Sequence, residues 1–219
     1  AGVPTGVATV RARSGKRGLL RAVLLGQALT NRSGALNLVL VDVQGRATFA
    51  GRGGLPHVSA VITNLEGELT LVDRMQDAIA GEMERRMEVL GATNALLKNK
   101  DIKNREEYEA ARTDGADIPP MPSLFIVVDE FSELLTARPE FIDLFIQIGR
   151  IGRSIGVHLL LASQRLEESK MRGLDRYLSY RVALRQFPPA ASPHAGRPVV
   201  GTGSNSWWTT ARTNNKRIA

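Results

Sequence analysis

Leu124-Phe125-Ile126-Val127-Val128-Asp129-Glu130 is the stretch whose reading decides the fold of this chain. Five apolar residues run without a polar break and end on two acids. A strand with one wet face alternates apolar and polar residues, whereas an unbroken apolar run needs cover on both faces. A strand buried in that way carries Asp129 rigidly to its carboxyl end. Glu130 then stands at the approach to the next helix.

The signature recurs along the chain. Residues 37–43 form a continuous apolar run that carries Asp42, and Val157 to Ala162, apolar apart from His158, read as another buried strand, followed by Ser163 and Gln164. Shorter strands are expected at 6–10, 59–62 and 179–184. Leu19, Leu20, Val23, Leu24 and Ala28 fall near helical spacing and predict a helix over 16–30. Leu71, Met75, Ile79, Met83, Met87 and Leu90, mostly four apart, predict a second helix packed on the sheet through that stripe. Thr70 to Asp73 reads as its capping box. Residues 98–122 are charged and then Pro-rich, which predicts a helical excursion and a rigid approach to the 124–129 strand. Helices are expected at 132–137 and 140–154.

Strands alternating with helices give an α/β fold of three layers around a mainly parallel central sheet. Right-handed crossovers place ligands at the carboxyl ends of such strands. Ser14 to Arg17, Asp42, Asp129, Glu130, Ser163 and Gln164 all follow apolar strands and are expected at that edge.

Composition sets the class. The chain has 219 residues, 43% of them hydrophobic and 23% charged, as in an ordinary folded domain. It has no cysteine, which excludes disulfides and thiolate metal sites. His57, His158 and His194 lack ligand spacing. No apolar run approaches the roughly 18–20 residues that span a bilayer. Lys plus Arg exceeds Asp plus Glu by 29 to 22, for a net charge of +7. Such an excess suits phosphate groups, nucleic acid or anionic lipid. It gathers at Arg11, Arg13, Lys16, Arg17 and Arg21, and again at Arg212, Lys216 and Arg217. The chain opens on Ala1-Gly2-Val3-Pro4, close to the first strand, and is expected to be a piece of a longer protein.

The first basic cluster overlaps a phosphate-loop pattern. G-x-x-x-x-G-K-[ST] cradles phosphates with backbone N–H groups, a lysine and a hydroxyl on magnesium. The octet here is Val10-Arg11-Ala12-Arg13-Ser14-Gly15-Lys16-Arg17, which keeps Gly15-Lys16 and loses the first glycine and the hydroxyl. Val10, Arg13, Ser14, Gly15, Lys16 and Arg17 are its candidate binding residues. The bland reading is a basic turn on a surface helix. Asp129 is a candidate for the magnesium shell, and Glu130 for polarising a water beside the γ-phosphate. Without a ligand, the same two acids are simply favoured near a helix N-terminus. Gln164 is a candidate to sense the γ-phosphate or to orient the water. Arg150 and Arg153 lie three apart near a helix end, on one face. One of them is a candidate to act in trans on a neighbouring subunit's nucleotide; the bland reading is a surface salt bridge.

Several segments together carry a family resemblance: Leu38 to Asp42, Leu55 to Leu65, Leu71 to Met75, Gly81 to Arg86, Pro122 to Leu135 and Gly149 to Leu166. They resemble the FtsK/SpoIIIE-like ATPase domains of the EccC and EssC type, the motors of type VII secretion systems, and among these the first ATPase domain. The resemblance covers roughly residues 6–187. It implies a RecA-like P-loop fold that binds ATP and magnesium and hydrolyses ATP. It also implies tandem ATPase domains behind a membrane anchor, at the cytoplasmic face of the cell membrane, assembling as a hexamer with other secretion-machine subunits. The exported substrates would be small helical-hairpin proteins, and no nucleic acid is expected as a partner. By match of position, Gly15 and Lys16 take the phosphate role, Asp129 the metal role, Glu130 the catalytic base role and Gln164 the sensor role.

The departures are specific. The family loop reads close to G-A-T-G-S-G-K-S, and Val10, Arg11, Arg13 and Arg17 replace Gly, Ala, Gly and Ser. Side chains at 10 and 13 stand where backbone approaches phosphate or takes positive φ. Arg17 cannot supply a magnesium hydroxyl, although it can neutralise phosphate charge. The family's D-F-K-G-G is here Asp42-Val43-Gln44-Gly45-Arg46. After Phe187 the likeness ends, and residues 188–219, rich in Pro, Gly, Ser, Thr and Asn, read as a poorly ordered tail. Two further functions compete with the secretion motor: a degenerate nucleotide-binding or structural ring module without turnover, and a DNA translocase of the wider FtsK group.

Overall fold

The computed structural model describes residues 6–10, 15–63, 69–97, 101–164 and 171–184, with the backbone alone for 6–10, 180, 181, 183 and 184. The apolar runs are strands: β1 (Gly6–Val10), β2 (Leu36–Asp42), β3 (Val58–Thr63), β4 (Ser123–Asp129), β5 (Val157–Ser163) and β6 (Tyr180–Leu184). They form one sheet in the order β3-β2-β4-β5-β1-β6, and every neighbouring pair is parallel. Burial follows position in that order. All of β4 is buried, as its unbroken apolar run demands. β3, at the sheet edge, alternates half-buried and exposed residues, which is why its sequence tolerates Ser59 and Thr63.

The helices are α1 (Lys16–Thr30), α2 (Leu69–Leu96), α3 (Arg105–Thr113), α4 (Phe131–Ala137) and α5 (Phe141–Ile155). From β1 the chain crosses β5 and β4 to reach β2 and then β3. From β3 it returns the other way, through β4 and β5 to β6. With right-handed crossovers, reversing direction changes the face on which the connections lie. Two cores result. On one face Leu20 and Leu24 of α1 pack with Leu36, Leu38, Leu40, Phe125 and Val127. On the other, Met75, Ile79 and Met83 of α2, Tyr108 of α3, Leu134 of α4 and Phe145 of α5 pack with Ile126, Val128, Leu159 and Leu161. Alternate residues of β4 therefore serve opposite faces, 125 and 127 toward α1, and 124, 126 and 128 toward α2 to α5.

The expected stripe of α2 needs correcting. The buried residues are Val72, Met75, Ile79, Met83, Arg86, Leu90 and Thr93, whereas Met87 is 42% exposed. Residues four apart drift about 40° around a helix at each step. A run of fours therefore leaves the sheet, and a step of three from Met83 to Arg86 restores contact. Arg86 thereby enters the core, where its guanidinium donates to the carbonyls of Ile155 (2.9 Å), Gly156 (3.2 Å) and Pro122 (2.8 Å) and pairs with Glu82. The helix already runs at Leu69, so Thr70 lies inside its first turn and is not its cap. Within the 98–122 excursion, residues 101–122 are described and hold α3, capped by the Asn104 side chain accepting from the N–H of Glu107, followed by a turn and chain that is neither helix nor strand. The reading of 188–219 falls outside the described residues.

Candidate functional site

The carboxyl ends of the strands are level. Asp42 of β2, Asp129 of β4 and Ala162 of β5 are register partners in turn, and Thr9 of β1 pairs with Ser163. Parity then assigns each side chain a face. Asp129 continues the 125–127 series and Asp42 the 36–38–40 series, so both turn toward α1. Ser163 continues the 159–161 series toward the opposite face, where its hydroxyl meets that of Ser132 in α4 at 2.7 Å.

Lys16 is the first residue of α1 and is only 8% exposed. Its ammonium lies 2.6 Å from Asp129 Oδ1 and is also paired with Glu130. Glu130 is buried and sits in the left-handed region at φ 62, as the cap residue of α4. That conformation is costly for a side chain larger than Gly or Asn, and an outlier of this kind points to a functional constraint. It turns the carboxylate back across the strand ends. There Gln164 donates to it twice, from its side-chain amide at 2.7 Å and from its backbone N–H at 3.1 Å. Lys16, Asp129, Glu130 and Gln164, drawn from three distant stretches of sequence, thus meet at one point.

Gly15 precedes Lys16 at φ 92, and a Cβ there would meet nothing within 4 Å. Glycine is required by the backbone turn and not by lack of space. The N-terminus of α1 has no side-chain cap and no acid in its first turn. Its first N–H groups have no intrahelical acceptor, and with the helix dipole they favour an anion. Lys16 adds a positive charge at the same place.

Phosphate therefore fits at Gly15 and Lys16. Among the described residues the charge balance also fits a cation: Asp129 and Glu130 are buried with the ammonium of Lys16, and Asp42 is buried beside Asp129 on the adjoining strand. Among the described residues no three His, Cys, Asp or Glu side chains converge as a metal cage. Magnesium is commonly held by one or two carboxylates together with substrate phosphates and waters, and does not need such a cage. Asp129, buried at the end of β4, is the candidate for that role. Arg17 is exposed and brings no hydroxyl to it. Val10 ends β1, its side chain outside the described set, and Arg13 and Ser14 also fall outside the described residues.

Arg150 and Arg153 are exposed near the end of α5, which leads into the first residues of β5. They are thus at the opposite edge of the sheet from Lys16 and are not brought into this site. Sequence reasoning missed Thr48. It is fully buried; its hydroxyl donates to Asp129 Oδ2 at 2.7 Å, and its backbone N–H donates to Asp42 Oδ2 at 2.9 Å. No strand-end pattern marks it. The only signal was its place six residues after an aspartate already singled out.

Comparison with known proteins agrees with this geometry. The model of the FtsK/SpoIIIE family matches residues 10–168. The chain is 58% identical over 198 residues to the ESX secretion system protein EccC of Thermomonospora curvata, covering 90% of this chain and 14% of that protein. It is 51% identical over 199 residues to the ESX-4 secretion system protein EccC4 of Mycobacterium tuberculosis, covering 91% of this chain and 15% of that one. Its structure superposes on the cytoplasmic domain of the T. curvata type VII secretion ATPase EccC with a TM-score of 0.78, over 84% of this chain and 21% of the other. The chain thus spans about a seventh of the length of these curated relatives. A lysine-led helix meeting an aspartate–glutamate pair across a parallel sheet, within the matched span, places this chain in the FtsK/SpoIIIE family.

Proposed function

We propose that this chain is an ATP-binding motor domain of a type VII secretion ATPase. The observation that carries the reading is the convergence of Lys16, Asp129, Glu130 and Gln164 at the α1 N-terminus. The identity to EccC proteins supports the secretion branch. ATP would supply the phosphoanhydride bond whose hydrolysis drives movement, with Mg2+ neutralising its phosphates. Lys16 and the N–H groups after Gly15 bind phosphate. Asp129 holds the metal shell. Glu130 accepts the proton of an attacking water, and Gln164 fixes the carboxylate that does so.

In the full assembly the domain, residues 1–187, works beside tandem ATPase domains and other secretion subunits, as a hexamer at the cytoplasmic face of the cell membrane. Small helical-hairpin proteins are the exported substrates. Arg150 or Arg153, exposed and away from the domain's own site, is the residue to reach a neighbour's nucleotide.

A second reading has its own observation. Val10 and Arg17 break the phosphate-loop pattern, and Arg17 offers no hydroxyl. On that reading the domain is a ring module that holds nucleotide poorly and does not turn it over. Titration with a fluorescent ATP analogue and magnesium separates the two, run beside a Val10→Gly, Arg13→Gly, Arg17→Ser variant. Micromolar binding and turnover by the parent chain support the motor. Binding by the repaired variant alone supports the ring module. Salt-dependent DNA binding by the parent would favour a DNA translocase over both.

A further inference from the structure

We propose that Thr48 is the positioning residue of Asp129, fixing its carboxylate so that Oδ1 is the oxygen offered to the metal. This rests on the nucleotide-site reading above. Asp129 divides its oxygens: Oδ2 accepts from the Thr48 hydroxyl at 2.7 Å, while Oδ1 faces Lys16 at 2.6 Å. Without that donor, the ion pair with Lys16 would be left to orient the carboxylate.

Thr48 is itself held. Its N–H donates to Asp42 Oδ2 at 2.9 Å, and Asp42 is the register partner of Asp129 on the adjoining strand. The backbone is bent to achieve this. Ala47, immediately before Thr48, takes φ 55, and Gly45 takes φ 65. Positive φ at alanine is costly and persists only where surrounding contacts impose it. The turn after β2 therefore folds back over the strand ends and delivers one buried hydroxyl to one buried carboxylate. In the phosphate-loop pattern the hydroxyl beside the metal stands at position 17. Here that position is Arg17, and the buried hydroxyl on Asp129 comes from Thr48.

Thr48→Val is nearly isosteric and removes only the hydroxyl, and Thr48→Ser keeps it. Both are made in the parent chain and in a Val10→Gly, Arg13→Gly chain that leaves Arg17 in place. A fluorescent ATP analogue is titrated with Mg2+ and with EDTA. Thr48→Val is expected to weaken Mg2+-dependent binding about tenfold, to raise the half-saturating Mg2+ similarly, and to leave metal-free binding unchanged. Thr48→Ser should stay within about twofold of its parent. Equal loss with and without Mg2+, no loss, or a Ser variant that behaves like Val would overturn the proposal. Should no chain bind nucleotide, the function proposed above fails and the metal role of Oδ1 with it, and a urea-unfolding cycle still decides whether Thr48 holds the Asp129 carboxylate. Thr48→Val should lower the midpoint in the parent and have little effect once Asp129 is Ala. An equal drop in both backgrounds removes the link between the two residues.

Discussion

Lys16 is a buried ammonium held between two carboxylates, and on the proposed function that arrangement would compete with phosphate for the same group. Burying charge is tolerable only when it is paired, and removing one member leaves the others exposed to the full cost of desolvation. Two expectations follow for single side chains. Glu130→Gln should abolish turnover, since the amide cannot take a proton from water. It should also tighten ATP-analogue binding about fivefold, roughly 1 kcal/mol, because Lys16 loses one competing anion. Equal affinity in parent and variant would show that Glu130 does not restrain the lysine. Lys16→Met should destabilise the nucleotide-free fold by about 3 kcal/mol, read as a lower urea midpoint, because Asp129 and Glu130 then share a buried site without their cation.

At the scale of elements, Arg86 joins three of them. From α2 it caps carbonyls at the end of α5, at the turn into β5 and at the entry to β4. These carbonyls lie at the edge of the sheet away from Lys16, and that of Gly156 also accepts from the N–H of Leu124 in β4 at 2.8 Å. Arg86→Ala should cost about 3–5 kcal/mol in urea unfolding, and Arg86→Lys should rescue little, because a point ammonium cannot reproduce the fork. Gly152 makes a tighter demand within α5. A Cβ there would lie 2.3 Å from the backbone oxygen of Val157. Gly152→Ala must therefore push α5 off β5, and a loss of about 1–3 kcal/mol is expected in the same assay.

The whole molecule inherits a pH dependence from His158, buried on β5. Burial pushes its imidazole down to about 4, helped by the positive charges of Arg105, Arg86 and Arg153. The fold thus holds His158 neutral, while the unfolded chain protonates it near 6.5. Below that pH the unfolded state binds more protons, so stability falls as pH drops from about 6.5 toward 4 and is fully present above that window. Urea midpoints measured across this range should slope downward on acidification. His158→Leu should flatten the slope, and an unchanged slope would mean that other groups cause it.

Much of this architecture could be read from local pattern, for physical reasons. The apolar runs at 124–128 and 159–162 require cover on both faces, which implies a parallel sheet with helices on either side. Asp129, Glu130 and Gln164 follow from standing where such strands end. The four-residue spacing of α2 misplaced Met87 because helical drift is settled by the surface against which a helix packs. Arg86 looked like any charged residue until three distant carbonyls were found at its guanidinium. Thr48 carried no mark at all: its role depends on a turn bending back over two strands that are more than eighty residues apart in sequence. The sequence by itself determined the sheet, its ligand edge and the acids on it, because each rests on the chemistry of neighbours in the chain. Only the tertiary structure decided which charges meet Lys16 and which hydroxyl holds Asp129, because those pairings depend on strand order and on which face each side chain takes.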